Sequence, residues 1–145
     1  MANPNSESDD LFTQSEADTE AAGFALAGRL GSGAVVVLGG PLGAGKTCLV
    51  RGLAAGLGCG EPVSSPSYAI VHEYFGTGGT VYHFDFYRLE TPAELEVIGL
   101  ADYLESGICL IEWGEKFPEA LPERHWKIEL EPLADGGRRI RIQQP

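Results

Sequence analysis

Apolar and polar positions fall along this chain in short blocks, and their spacing names the elements. Ala22, Leu26 and Leu30 recur at spacing four, an apolar stripe along one helix face. Ser15 supplies a cap for that helix, Asp18 is the capping-box acid three residues later, and Gly31 and Gly33 mark its end. Residues 34–38 (AVVVL) are an unbroken apolar run, which predicts a strand buried on both faces. Residues 48–57 read as a second helix with Gly58 at its C-terminal end. Residues 68–74 and 80–89 flank GTGG and predict a β-hairpin. Thr91, Pro92 and Glu94 give a cap, a first-turn proline and a capping-box acid, so a third helix starts there. Residues 108–111 form a second short buried run that ends at Glu112. Residues 126–130 and 138–142 alternate around ADGG as a closing hairpin.

The order helix, strand, loop, helix, hairpin, helix, strand, hairpin predicts an α/β fold. Its expected plan is a P-loop NTPase-like three-layer arrangement: a mixed central sheet with a parallel core and antiparallel hairpins, and helices on both faces. With no internal repeat or linker, residues 11–145 read as a single domain. Residues 1–10 (MANPNSESDD) are polar, acidic and poor in apolar side chains, and read as a disordered tail. They have no basic start and no apolar stretch of the secretory kind, and no run elsewhere approaches membrane-spanning length. A cytoplasmic protein without membrane contact is the expectation.

Composition changes this picture in one respect. The apolar fraction of 43% and charged fraction of 21% are ordinary, but ten Lys and Arg stand against twenty-one Asp and Glu, a formal net charge of −11. A chain that grips nucleic acid normally carries a basic patch to displace counterions. Contact with RNA is therefore expected only through other subunits. Cys48, Cys59 and Cys109 show neither CxxC spacing nor a nearby His pair, so they read as buried reduced thiols and indicate neither zinc nor a disulfide framework.

The chemistry concentrates in residues 40–47. GPLGAGKT fits G-x-x-x-x-G-K-[ST] at every fixed position, with a buried strand before it and a helix after it. Gly43 and Gly45 let the backbone curl so that successive N–H groups point at phosphate oxygens, and the following helix adds its positive end. Lys46 brings a point charge to the β- and γ-phosphates, and the Thr47 hydroxyl is placed to ligate Mg²⁺. The ligand class is a nucleoside triphosphate, ATP with Mg²⁺.

Two carboxylates compete for the acidic role beside the metal. Glu112 closes ICLIE, an apolar strand with an acid at its C-terminal end. Asp85 lies in VYHFDFYRL, where alternation puts Val81, His83, Asp85 and Tyr87 on one face and Tyr82, Phe84 and Phe86 on the other. The aromatic set is expected to face the core, and the polar set a site or solvent. His83 reads as structural and Trp113 as packing, with stacking near the site as its alternative. In VSSPSY, residues 63–68, Ser65 and Ser67 are candidate γ-phosphate sensors.

GPLGAGKT, SSPSYAIVHEY, VYHFDFYRL, PAELEVIGLADYL and ICLIEW, in this order, resemble the TsaE family of small bacterial P-loop ATPases needed for threonylcarbamoyladenosine modification of tRNA. The resemblance covers roughly residues 13–142. It implies ATP hydrolysis that is weak alone and raised by TsaB and TsaD, and no adenylate-kinase-like lid. By the same resemblance Thr47 and Glu112 are Mg²⁺ ligands, and Gly43, Ala44, Gly45, Lys46, Thr47 and Cys48 are the phosphate-binding run. Asp85 becomes a second essential acid near the γ-phosphate, and Glu16 and Arg138 match positions used around the nucleotide. The chain departs from the family where Pro41 replaces the usual Asp and Cys48 replaces Thr or Ser. Pro41 occupies a variable position of the motif, and Cys48 keeps its backbone N–H, so binding is expected to survive both.

Lys46, Asp85 and Glu112 are the expected catalytic residues, with Asp85 or Glu112 orienting the attacking water. Neither Arg51 nor Arg88 is an obvious arginine finger. A small-molecule kinase is the rival reading, which needs an acceptor pocket and usually an Arg-rich lid. A nucleotide-gated interaction module, in which hydrolysis is incidental, is the third.

Overall fold

Seven strands form one sheet in the order β1-β7-β6-β2-β5-β4-β3 in the computed structural model, which describes residues 8–41, 43–60, 62–63 and 70–145. The strands are β1 (Ser8–Thr13), β2 (Val35–Gly39), β3 (Val71–Gly76), β4 (Gly79–Asp85), β5 (Ile108–Glu112), β6 (Trp126–Pro132) and β7 (Arg138–Gln143). The β6-β2-β5-β4 centre is parallel, while β1-β7, β6-β7 and β3-β4 pair antiparallel. Every residue of β2 is buried, as an unbroken apolar run requires when both faces are covered.

Helices α1 (Glu16–Ala27) and α2 (Lys46–Gly56) cover one face, over a core that includes Leu38, Leu49, Leu53, Val81, Leu110 and Ile128. Helices α3 (Pro92–Ile98) and α4 (Leu100–Ser106) cover the other, with Tyr82, Phe84, Phe86, Leu95 and Phe117 in that core. The expected three-layer plan, parallel centre and antiparallel hairpins are all present. No helix among the described residues is long and apolar enough to cross a membrane.

The caps read from sequence hold α1 and α3. The Ser15 hydroxyl accepts from the Asp18 N–H at 3.1 Å, and the Asp18 carboxylate accepts from the Gln14 N–H at 3.0 Å. Thr91 and Glu94 form the reciprocal capping box.

One expectation changes. Residues 8–10, read as part of a disordered tail, begin β1, an edge strand whose register runs from Ser8↔Gln143 to Thr13↔Arg138. Its acids find cations across the fold: Asp10 receives Arg139 at 2.6 Å, and Asp9 pairs with Arg29 at 3.1 Å. Residues 1–7 of that tail lie outside the described residues, as do Ser65 and Ser67. His83, read as structural, is 0% exposed beneath α1 and α2. The aromatic face of β4 does enter the core.

One close contact aims α1 at the site. A Cβ built on Gly52 of α2 would lie 1.9 Å from the Glu20 carbonyl of α1, so only glycine permits this approach. It leaves the N-terminus of α1 beside the N-terminus of α2.

Candidate functional site

Parallel strands present their C-terminal ends to one rim of the sheet, where α/β folds bind ligands. A cleft of about 500 Å³ opens on that rim, lined by Ser15, Glu16, Thr19, Gly43, Gly45, Lys46, Thr47, Cys48, Asp85, Glu112, Trp113, Gly136 and Arg138. The loop between β2 and α2 supplies its floor. Gly43 and Gly45 take φ of 79° and 101°, the left-handed region that favours glycine. Gly45 is also the cap residue of α2, and α2 begins at Lys46, so Lys46, Thr47 and Cys48 occupy its first turn, where N–H groups have no partner within the helix.

Lys46 is buried to 7% exposure and its ammonium is already directed: Nζ donates to the Gly40 carbonyl at 2.8 Å. It lies 4.0 Å from Glu112 Oε1 and 5.1 Å from the Trp113 ring centre. Glu112 and Asp85 are each 6% exposed and are direct cross-strand partners at the ends of β5 and β4. The Asp85 Oδ1 accepts from the Tyr87 N–H at 2.9 Å. Glu112 Oε2 lies 2.7 Å from His83 Nε2, a hydrogen bond in which an ionised carboxylate accepts the imidazole N–H. His83 Nδ1 is buried without a hydrogen-bond partner among the described residues, a state that costs about 1–3 kcal/mol.

Arg138 reaches the loop from β7. Its Nε donates to the Ala44 carbonyl at 3.0 Å, one terminal nitrogen to the Gly43 carbonyl at 3.2 Å, and the other to the Gly136 and Gly137 carbonyls at 3.0 and 3.1 Å. The guanidinium thus braces the glycine loop through its carbonyls. Ala44 differs from its neighbours: its side chain is wholly buried, and its N–H donates to the Pro41 carbonyl at 3.1 Å, within the loop's own turn.

The structure therefore brings the ten sequence-read site residues to one place, with Ala44 contributing loop shape. Arg51 lies outside the cleft lining, 3.8 Å from Glu20, and so does Arg88. Trp113 lines the cleft in a left-handed conformation with φ of 62°, an outlier for a bulky residue of the kind found at functional sites. Sequence reasoning missed Thr19. Its hydroxyl is 2.8 Å from that of Thr13, and its methyl would lie 3.7 Å from a Cβ on Gly45. The helical spacing Ser15, Glu16, Thr19 was the available signal.

The metal question turns on the donor set. Among the described residues there is no group of three or more His, Cys, Asp or Glu suited to a metal ion. The side chains with oxygen donors that line the cleft include Thr47, Asp85 and Glu112 beside the glycine loop, and Ser15, Glu16 and Thr19 from the start of α1. Such a set suits Mg²⁺, which takes one or two protein oxygens and fills its shell with water and phosphate.

The model of the family "Threonylcarbamoyl adenosine biosynthesis protein TsaE" matches residues 13–140. The tRNA threonylcarbamoyladenosine biosynthesis protein TsaE of Treponema pallidum is 43% identical over 131 residues, covering 90% of this chain and 96% of that protein. The protein of the same name from Haemophilus influenzae is 47% identical over 102 residues, covering 70% of this chain and 65% of that one. The crystal structure of Bacillus subtilis YdiB superposes with a TM-score of 0.83 at 30% identity, covering 98% of this chain and 88% of that one.

Proposed function

The chain belongs to the TsaE family, and from that premise we propose that it is an ATPase subunit of the machinery that makes threonylcarbamoyladenosine on tRNA. The observation that carries the ATPase reading is the pair of buried opposite charges at the cleft: Lys46 on the glycine loop and Glu112 at the end of the adjacent parallel strand, 4.0 Å apart.

The reaction is transfer of the γ-phosphoryl group to water. A water oxygen forms the new bond to phosphorus, the bond to the β-bridging oxygen breaks, and ADP, phosphate and a proton leave. Thr47 and Glu112 would hold Mg²⁺, which would supply charge neutralisation to the phosphates. The chain's own residues do the rest. First-turn N–H groups of α2 and the Lys46 ammonium compensate phosphate charge. Asp85, the cross-strand partner of Glu112 at the end of β4, orients the attacking water. Glu16 and Arg138 border the nucleotide, Arg138 by holding the loop in shape.

The partners in this reading are TsaB and TsaD, which raise a weak intrinsic rate in the cytoplasm. The net charge of −11 supports a subunit that meets tRNA only through that complex. Phosphate release from ATP tests the proposal, measured for the protein alone and with the partner pair. Lys46→Ala and Glu112→Gln are expected to lose at least about a hundredfold in rate, as removal of a charge-stabilising group in a phosphoryl-transfer site does. A Lys46→Ala protein as active as the parent, or a rate the partner pair leaves unchanged, counts against it.

A further inference from the structure

His83 has no part in the chemistry above, yet it is 0% exposed, leaves Nδ1 without a partner among the described residues, and spends its one hydrogen bond on Glu112. A buried polar group in this state is poorer for folding than an apolar one of the same shape, so a reason for its presence is to be sought at the far end of that bond.

We propose that His83 is a positioning residue that holds the Glu112 carboxylate in the orientation a divalent cation needs. This rests on the Mg²⁺–ATP reading of the site. The two oxygens of Glu112 have different surroundings: Oε2 is held by His83 at 2.7 Å, and Oε1 stands 4.0 Å from the Lys46 ammonium. That second distance is just beyond hydrogen-bond contact. With one oxygen pinned, the carboxylate does not turn to close on Lys46. Lys46 stays on the Gly40 carbonyl, ready for phosphate, and Oε1 stays available to the cation. Register makes the contact possible: Asp85 pairs with Glu112 across β4 and β5, and His83 lies two residues back on the same face. Without His83 the Glu112 carboxylate is free to rotate out of the orientation the cation needs, and the contribution of metal to nucleotide binding falls while Lys46 keeps its place on the Gly40 carbonyl.

The test compares affinity for a fluorescent non-hydrolysable ATP analogue with excess Mg²⁺ and with EDTA, the ratio reporting how far metal strengthens binding. The series is the parent, Glu112→Gln, His83→Gln and His83→Asn. Glutamine places an amide nitrogen about where Nε2 lies, whereas asparagine reaches only as far as Nδ1. The expected result is a ratio lowered about tenfold in His83→Asn, the scale on which groups that orient metal ligands act. His83→Gln should keep it within about threefold, and EDTA affinity should change by less than about threefold throughout. Should the asparagine variant fail to fold by circular dichroism, His83→Leu, which suits the apolar surroundings, takes its place with the same expectation. A ratio unchanged in His83→Asn or His83→Leu while Glu112→Gln collapses it overturns the proposal. So does an equal loss in EDTA, which marks a merely structural role. A parent ratio near one, unaltered by Glu112→Gln, instead removes the Mg²⁺–ATP reading beneath it.

Discussion

Replacing Gly52 with alanine separates two opposed effects in one residue. Helix propensity alone favours the change by about 1 kcal/mol, because glycine loses more backbone freedom on entering a helix. Packing opposes it. The added Cβ would lie 1.9 Å from the Glu20 carbonyl oxygen and 2.8 Å from its carbon, where ordinary contact begins near 3.4 Å. The obstacle is backbone and cannot rotate aside, so α1 must retreat by about 1.5 Å. Overpacking of this kind costs typically 1–3 kcal/mol, and a backbone clash belongs at the upper end or above it. The net expectation is a loss of about 2 kcal/mol, which lowers Tm by roughly 4–8 °C in a chain of this size. Because Glu16 and Thr19 line the cleft from the N-terminal turns of α1, nucleotide affinity should fall as well. Gly28→Ala is the control: φ is −66° there and the nearest atom to its Cβ is 3.5 Å away, so alanine is accepted without loss of Tm. Thermal unfolding followed by circular dichroism decides the matter. A Gly52→Ala protein with an unchanged or raised Tm refutes the close-contact argument.

Arg138→Lys should lower ATP affinity about tenfold or more, since one ammonium cannot hold the Gly43, Ala44, Gly136 and Gly137 carbonyls together and charged hydrogen bonds contribute about 1.5–3 kcal/mol each; calorimetric titration measures it. The Arg139 hydrogen bond holds the Asp10 carboxyl below its ordinary value of 3.8. The stabilisation from this pair is therefore complete above 3.8 and lost as pH falls from there through the lower folded value. The Tm gap between the parent and Asp10→Asn should hold steady at neutral pH and close in acid, as scanning calorimetry across pH can follow. Burial pushes the Cys109 thiol up to about 12, so it should resist iodoacetamide in the folded protein at pH 8 and react once denaturant unfolds it. Half-buried Cys59 should be alkylated first, with mass spectrometry of peptides giving the order.

The legible part of this chain is the part whose information is local. Residues 40–47 carry their chemistry in consecutive positions, and Ser15 with Asp18 or Thr91 with Glu94 announce helix starts within four residues. The strand β5 was equally plain, an apolar run closed by an acid. What sequence hid depends on partners far along the chain. The strand β1 looks like a polar tail because its acids meet Arg139 and Arg29, which only the folded register brings near. Gly23 and Gly52 look unremarkable in their helices, yet a Cβ at Gly23 would lie 2.4 Å from the Leu49 carbonyl. The bond between His83 and Glu112 spans 29 residues. It was within reach of reasoning, since pairing the two strands by their terminal acids puts His83 and Glu112 on the face of Asp85, but alternation alone left that face to a site or to solvent.

The most direct test of the account is a crystal structure of this protein with Mg²⁺ and a non-hydrolysable ATP analogue. The β- and γ-phosphates are expected on the loop ending at Thr47, with Lys46 against them, and Mg²⁺ at about 2.1 Å from the Thr47 hydroxyl and the Glu112 carboxylate. Phosphates bound away from that loop, or a metal held by Asp85 with Glu112 turned away, would contradict it.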